Sequence, residues 1–197
     1  GLVLAIPSNG ADAVRMLRTA VKEAYKNGRI VVFIEPIALY MTKDLHKAKD
    51  GKWEFVYPEL NDESTIGEYR PYGNGRSLTI LTYGNGLYLS LQAQKEIEKK
   101  LGKKIKIIDL MWISDINYET LLKEITPCKN ILIVDECRRS GCHGEGIFTN
   151  LSLKSKIPLN IALHAAEDSF ISIGKAATVT LPSKDSIVEN ALNLVNG

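Results

Sequence analysis

The sequence predicts an α/β protein built on a mainly parallel, doubly wound sheet, and three observations carry that prediction. Short runs of Val, Ile and Leu recur along the chain, continuous rather than alternating, as strands covered on both faces require. Segments with apolar residues at helical spacing lie between those runs. A long polar stretch, residues 41–76, keeps no period and divides the chain in two.

The first block opens on a strand, residues 2–6, broken by Pro7-Ser8-Asn9-Gly10. Asn9 with Asp12 three residues later reads as a helix N-cap with an acidic first turn. Val14, Leu17, Val21 and Ala24 then mark one helical face, which Asn27-Gly28 ends. A second strand, residues 30–34, closes at Glu35-Pro36. The chain begins at Gly1 directly in an apolar run, which reads as a fragment, a processed terminus being the alternative. Within the polar stretch, residues 53–57 are expected to form one edge strand.

The second block starts with a strand at 78–81 and the turn Tyr83-Gly84-Asn85-Gly86. Leu87, Leu91, Gln94, Ile97 and Leu101 mark a helix that Gly102 stops. Strands follow at 105–109, 130–134 and 159–163, with a fifth expected at 177–181. Asp115 or Asn117 caps a short helix carrying Tyr118, Leu121, Leu122 and Ile125. Another helix is expected at 144–153, and Ser183 caps a last one carrying Ile187, Val188, Ala191, Leu192 and Val195.

Composition excludes several function classes. A net charge of +2 with dispersed Lys and Arg gives no nucleic-acid footprint. No segment reaches the roughly 18 to 20 apolar residues of a membrane span, and no secretory signal is visible. Cys128, Cys137 and Cys142 are too few and too uneven for a disulfide framework, so a reducing compartment is expected.

Few residues are placed for chemistry. The glycine turn at 83–86 lacks the full dinucleotide or P-loop pattern and reads as a tight strand–helix turn. The run Cys137 to His143 has the wrong spacing for haem and too few ligands for zinc. His164, near Glu167 and Asp168, reads as a hydrogen-bonded structural residue, and His46 as a solvated one. Arg138 and Arg139 follow a strand end, where ligand and partner contacts gather in open α/β sheets. They suit a carboxylate or phosphate, or a pairing with Glu136 or with another subunit. The interface reading is favoured, with Glu136, Arg138 and Arg139 as its candidates.

In order along the chain, several stretches resemble β-subunits of 2-oxoacid dehydrogenases. Pro7-Ser8, the helix after it and Val32-Phe33-Ile34-Glu35-Pro36 with Leu39-Tyr40 resemble the end of their pyrimidine-binding domain. The run from Leu78 to Gly84, Ile108-Asp109-Leu110, the run from Val134 to Gly141, and the closing run from Leu181 to Val188 resemble their transketolase-like C-terminal domain. The resemblance implies a division at 1–76 and 77–197. It also implies a decarboxylating enzyme for pyruvate or branched-chain 2-oxoacids that passes the acyl group to lipoyl-lysine, with thiamine diphosphate and Mg²⁺ supplying the chemistry. Implied partners are the α-half, the upstream pyrimidine domain, the lipoyl acyltransferase core and a second copy. The implied location is the cytoplasm, or the mitochondrial matrix in a eukaryote.

The same resemblance places the catalytic residues outside this chain. The Gly-Asp-Gly diphosphate motif does not occur here. The turn at 25–29 is longer than in relatives, so their monovalent-cation site is not carried over. Residues 109–112 read Asp-Leu-Met-Trp where relatives carry an arginine. No catalytic, cofactor-binding or metal residue is therefore expected within this chain, and by itself it is expected to be inactive. Transketolase and deoxyxylulose-phosphate synthase share the C-terminal domain and are the rival enzymes. A non-enzymatic anion- or protein-binding module using the Arg138–Arg139 turn is the other alternative.

Overall fold

The computed structural model describes residues 1–197. Strands β1 (Val3–Ala5) and β2 (Val31–Phe33) pair in parallel, with Leu4 opposite Val32. Helix α1 (Gly10–Asn27) makes the crossover. Asn9 caps it through the Asp12 N–H, and Gly28 ends it at φ +62°, a conformation that a residue without Cβ adopts freely. Met16 packs on Val3 and Ala5, so α1 covers one face of this small sheet.

The larger sheet runs β3-β5-β4-β6-β7. Strands β4 (Thr79–Thr82), β5 (Lys106–Asp109), β6 (Asn130–Arg138) and β7 (Asn160–Ala166) are parallel. Strand β3 (Arg70–Tyr72) is antiparallel to β5. Helices α2 (Asn85–Leu101) and α5 (Lys184–Asn196) share one face, where Leu87, Ile97 and Ile187 bury Ile80, Ile107 and Leu132. Helices α3 (Tyr118–Ile125) and α4 (His143–Lys154) take the other, where Leu121, Ile147 and Leu151 bury Leu81, Ile108 and Ile133. Each such aliphatic side chain contributes about 2 kcal/mol on burial. The doubly wound class is thus present, with Asn117 and Ser183 capping α3 and α5 as expected.

Two expected strands are absent. Residues 53–57 form no ladder; Trp53 instead turns inward and packs edge-on against Tyr88 at 5.1 Å. The edge position goes to β3, whose Pro71 lacks an N–H and suits an outer strand. The segment expected as a fifth strand at 177–181 overlaps a 3-10 turn, Gly174–Val179. Gly174 turns the chain at φ +72°, and helix-tolerant Ala176 and Ala177 outweigh Thr178 and Val179.

The two sheets are joined by an ion pair whose carboxylate is buried and whose guanidinium is about a third exposed. Arg70 on β3 donates through Nε and Nη2 to the two carboxylate oxygens of Asp12 on α1, at 3.0 and 2.6 Å. Asn9 and Arg15 complete the Asp12 shell at 2.7 and 3.3 Å.

The loop from β3 to β4 crosses the backbone before β5 at Gly75. A Cβ there would lie 2.1 Å from the Lys104 carbonyl and 2.2 Å from the Ile105 nitrogen. Backbone cannot yield cheaply, so Gly75→Ala is expected to lower stability by about 3 kcal/mol. Gly10→Ala, where nothing lies within 4 Å, is the control and should change stability by less than about 0.5 kcal/mol. Urea denaturation of both variants measures the difference.

Candidate functional site

Strand order places a crevice between β4 and β6. The helices that follow these neighbouring strands, α2 and α4, leave toward opposite faces, so the loops beyond the two strands part. Such a topological switch point is where open α/β sheets bind ligands. The opening is a cleft of about 490 Å³. Tyr83, Asn85, Glu136 and His143 line its polar side, and Leu4, Ile6, Ile34 and Pro36 of the first unit line the apolar side.

Local rules shape each wall. Gly84 adopts φ +56°, and a Cβ there would press on Ile6 and Pro36 at 3.2 and 3.3 Å, so glycine lets the first unit approach the β4–α2 turn. Asp135, buried at the upper end of β6, accepts from the N–H groups of Cys137 and Gly144 at 2.9 and 2.8 Å. It therefore anchors the start of α4, whose N-cap residue Cys142 makes no side-chain cap. Glu136 turns into the crevice, where Asn85 Nδ2 donates to its Oε1 at 2.5 Å across the gap. No ion pair or further hydrogen bond reaches Glu136.

Burial pushes the Glu136 carboxyl above the usual range; Asn85 opposes this and the neighbouring Asp135 reinforces it. The Tyr83 phenol is also pushed up, by burial and then by Asp135. Burial pushes His143 down, toward neutral imidazole, and its Nε2 has no partner. The Cys137 and Cys142 thiols are raised by burial, the reverse of what activates a nucleophile.

Arg138 and Arg139 come after a break in the β6–β7 register, and they do not meet Glu136. Arg139 donates to the Leu163 carbonyl at 3.2 Å, and Arg138 is exposed. Asp168 holds this turn by accepting from the Ser140 N–H and hydroxyl at 2.7 and 2.5 Å. His164 bonds Ser186 at 2.8 Å between sheet and α5, and His46 lies exposed. Sequence reasoning missed the Asn85–Glu136 pair, because its partners are 51 positions apart and only strand order joins them.

Residues 67–180 match the family model for the C-terminal domain of transketolase. The chain belongs to this family.

Around the family domain the likeness runs further. The chain is 27% identical over 193 residues to the pyruvate dehydrogenase E1 component subunit beta of Staphylococcus aureus, covering 97% of this chain and 55% of that one. The corresponding subunit of Staphylococcus epidermidis is 28% identical over the same span. The chain thus spans about half the length of these curated relatives. Among solved structures, a split-gene transketolase described as an inactive beta4 tetramer matches with a TM-score of 0.71 at 15% identity, covering 99% of this chain and 57% of that one. A transketolase variant from Pichia stipitis matches at 0.59 and 16%, over 99% of this chain and 25% of that one. These two share the fold.

The transketolase C-terminal domain meets the preceding unit at a second polar cluster, also missed from sequence. Asp109 ends β5 with no exposure, and its Oδ2 has no partner. Thr82, its register neighbour on β4, and Ser8, in the β1–α1 loop, are equally buried with unpartnered hydroxyls. An apolar run ending in Asp was the one signal available. Burial pushes the Asp109 carboxyl up to about 7; Ser8 opposes this, and the Asp12 charge adds to it.

Folded Asp109 keeps its proton to about pH 7, while the unfolded chain releases it near 4. Folding therefore takes up a proton in that window, and stability falls as pH rises through it. Asp109→Asn should gain on wild type by about 2 to 3 kcal/mol between pH 5 and pH 8. Urea unfolding at both values measures this; an equal difference at the two would disprove it.

Proposed function

We propose that the chain is the carboxyl-terminal part of the β-half of a thiamine-diphosphate-dependent 2-oxoacid dehydrogenase. The single observation that carries this reading is the uncovered face of the β1–β2 sheet. Leu2, Leu4, Ile30, Val32 and Ile34 lie on the side opposite α1, and four of the five are exposed, Ile30 by 70%. A parallel sheet of two strands with one aliphatic face in water is half of an α/β domain. Relatives of nearly twice the length supply a natural source for the missing cover.

In this reading residues 1–76 end a pyrimidine-binding domain and its linker, and residues 77–197 form the C-terminal domain, with β3 lent across the boundary. The whole enzyme decarboxylates pyruvate or a branched-chain 2-oxoacid in the cytoplasm, works with an α-half, and passes the acyl group to a lipoyl acyltransferase core. The two clefts that Pro36 separates do not fit a diphosphate with its metal ion. The charged side chains lining these two clefts are the carboxylates Glu35 and Glu136, with no Lys or Arg. No group of three His, Cys, Asp or Glu side chains is placed to hold a metal. The cofactor's seat is thus assigned to the partner parts, and this chain contributes scaffold and contacts. No helix is long and apolar enough to cross a membrane.

Two outcomes are expected. Calorimetry of the chain alone with thiamine diphosphate and Mg²⁺ should show no binding tighter than about 1 mM, whereas co-purification with the rest of the β-half and the α-half should restore it; Val32→Glu should block that assembly without unfolding the chain. The turn carrying Arg138 and Arg139 is further proposed as a contact between copies. Arg138→Glu should then weaken a dimer seen by sedimentation velocity roughly tenfold, about 1.4 kcal/mol. Micromolar cofactor binding by the chain alone, or a dimer indifferent to the substitution, would count against the respective assignment.

A further inference from the structure

Charge is unevenly compensated around the switch-point crevice. Two carboxylates stand side by side at the end of β6. Asp135 is spent on the backbone N–H groups of Cys137 and Gly144. Glu136 receives one amide donor, from Asn85, on Oε1, and its Oε2 has no partner. The starts of α2 and α4 also face this region, each carrying about half a positive charge. The two half-charges sum to about one unit against two carboxylates, so the crevice retains net negative character. The nearest arginines do not correct it: Arg139 is held by the Leu163 carbonyl, and Arg138 is exposed beyond the register break.

The remaining lining tells what kind of cation the crevice suits. Leu4, Ile6, Ile34 and Pro36 make a continuous aliphatic wall on the side opposite Glu136. Tyr83, nine-tenths buried, adds an aromatic surface at the floor, which a cation tolerates better than an anion does. A bare metal ion gains nothing from such a wall and finds one carboxylate rather than a ligand set. A carboxylate or phosphate would face Glu136 without a Lys or Arg in the lining to receive it. We propose that the crevice is a binding site for an organic cation on an aliphatic stem, an alkylguanidinium or alkylammonium group whose head pairs with Glu136 and whose stem lies along Leu4, Ile6 and Ile34.

Such a head donates to Oε2 without displacing Asn85, and a planar guanidinium can bridge both carboxylate oxygens. Ion pairing also offsets the burial that raises the Glu136 carboxyl, so affinity should drop on acidification, as that carboxyl takes up its proton. The ligand chemistry has two sources: a free amine or guanidine, or an Arg or Lys side chain of the polypeptide proposed above to cover the β1–β2 face.

The test uses the full chain by itself, so it does not depend on assembly with partner parts. Hexylguanidinium, hexanol and hexanoate are titrated by NMR at pH 8, following the Asn85 side-chain amide and the Ile34 and Leu4 methyls. Hexylguanidinium should bind at least roughly tenfold tighter than hexanol, with hexanoate weakest, and all three groups of signals should shift together. Glu136→Gln should remove the advantage over hexanol while leaving the urea midpoint in place. Hexanol equal to hexylguanidinium, or hexanoate tighter than either, would overturn the proposal. That ranking is made on wild type and stands even if the variant misfolds. A peptide carrying one Arg between leucines is the second arm. Binding tighter than hexylguanidinium identifies a polypeptide side chain as the source, and weaker binding identifies a free small molecule. Failure of every probe would overturn this site and leave the dehydrogenase reading standing.

Discussion

A parallel strand needs cover on both faces, because its connections and its continuous apolar sequence leave no polar side to turn toward water. That requirement organises this chain. In the larger sheet it is met by α2 with α5 on one side and α3 with α4 on the other. In the smaller sheet it is met by α1 on one side, and on the other only where Leu4 packs against the larger unit. The same aliphatic pattern that predicts a buried strand at residues 30–34 thus leaves Val32 and Ile34 exposed. In the proposed assembly a partner covers this face, and burying it is worth several kcal/mol.

The requirement also explains where the crevice lies. Helices can cover both faces only if the path reverses, and the reversal occurs between β4 and β6. The loops must part there, so backbone N–H groups and side chains at the strand ends lack the neighbours found elsewhere along the sheet. Asp135 fills that gap for α4, and Asn85 with Glu136 spans it. The small sheet then leans against the opening, admitted by Gly84 and clamped in place by Arg70 on Asp12. Breaking that clamp would leave the buried Asp12 carboxylate with only Asn9 and Arg15 as partners, so the contact joins the two units at a cost if it is lost.

What the sequence reveals and what it hides divide along locality. Caps at Asn9, Asn117 and Ser183 are legible because each side chain bonds a backbone group three residues away. The glycines at 28 and 102 end their helices for an equally local reason. Strand β3 is illegible because three residues including a proline carry no period, and only the edge of β5 makes them a strand. The expected strand near 177 fails because local turn formation wins where no such edge recruits the segment. At the site, Glu136 stands out as a charged residue after an apolar run, but its direction is set by the register break in β6 and its partner by strand order. Ser8, Thr82 and Asp109 come from three separate stretches and become one cluster only when β1, β4 and β5 end together.

Four carboxyl groups near the strand ends show how compensation sorts structural acids from responsive ones. Asp12 has an arginine in bidentate contact and further donors, so its role is attachment. Asp135 has two backbone N–H groups, so its role is to anchor a helix. Asp109 has neither a cation nor a full set of donors, and it is sealed from solvent. A group in that position can trade only a proton with its surroundings. Glu136 is equally short of donors but opens onto a cleft large enough for a small molecule or a side chain. Incomplete compensation makes both groups sensitive, and access decides what each one senses.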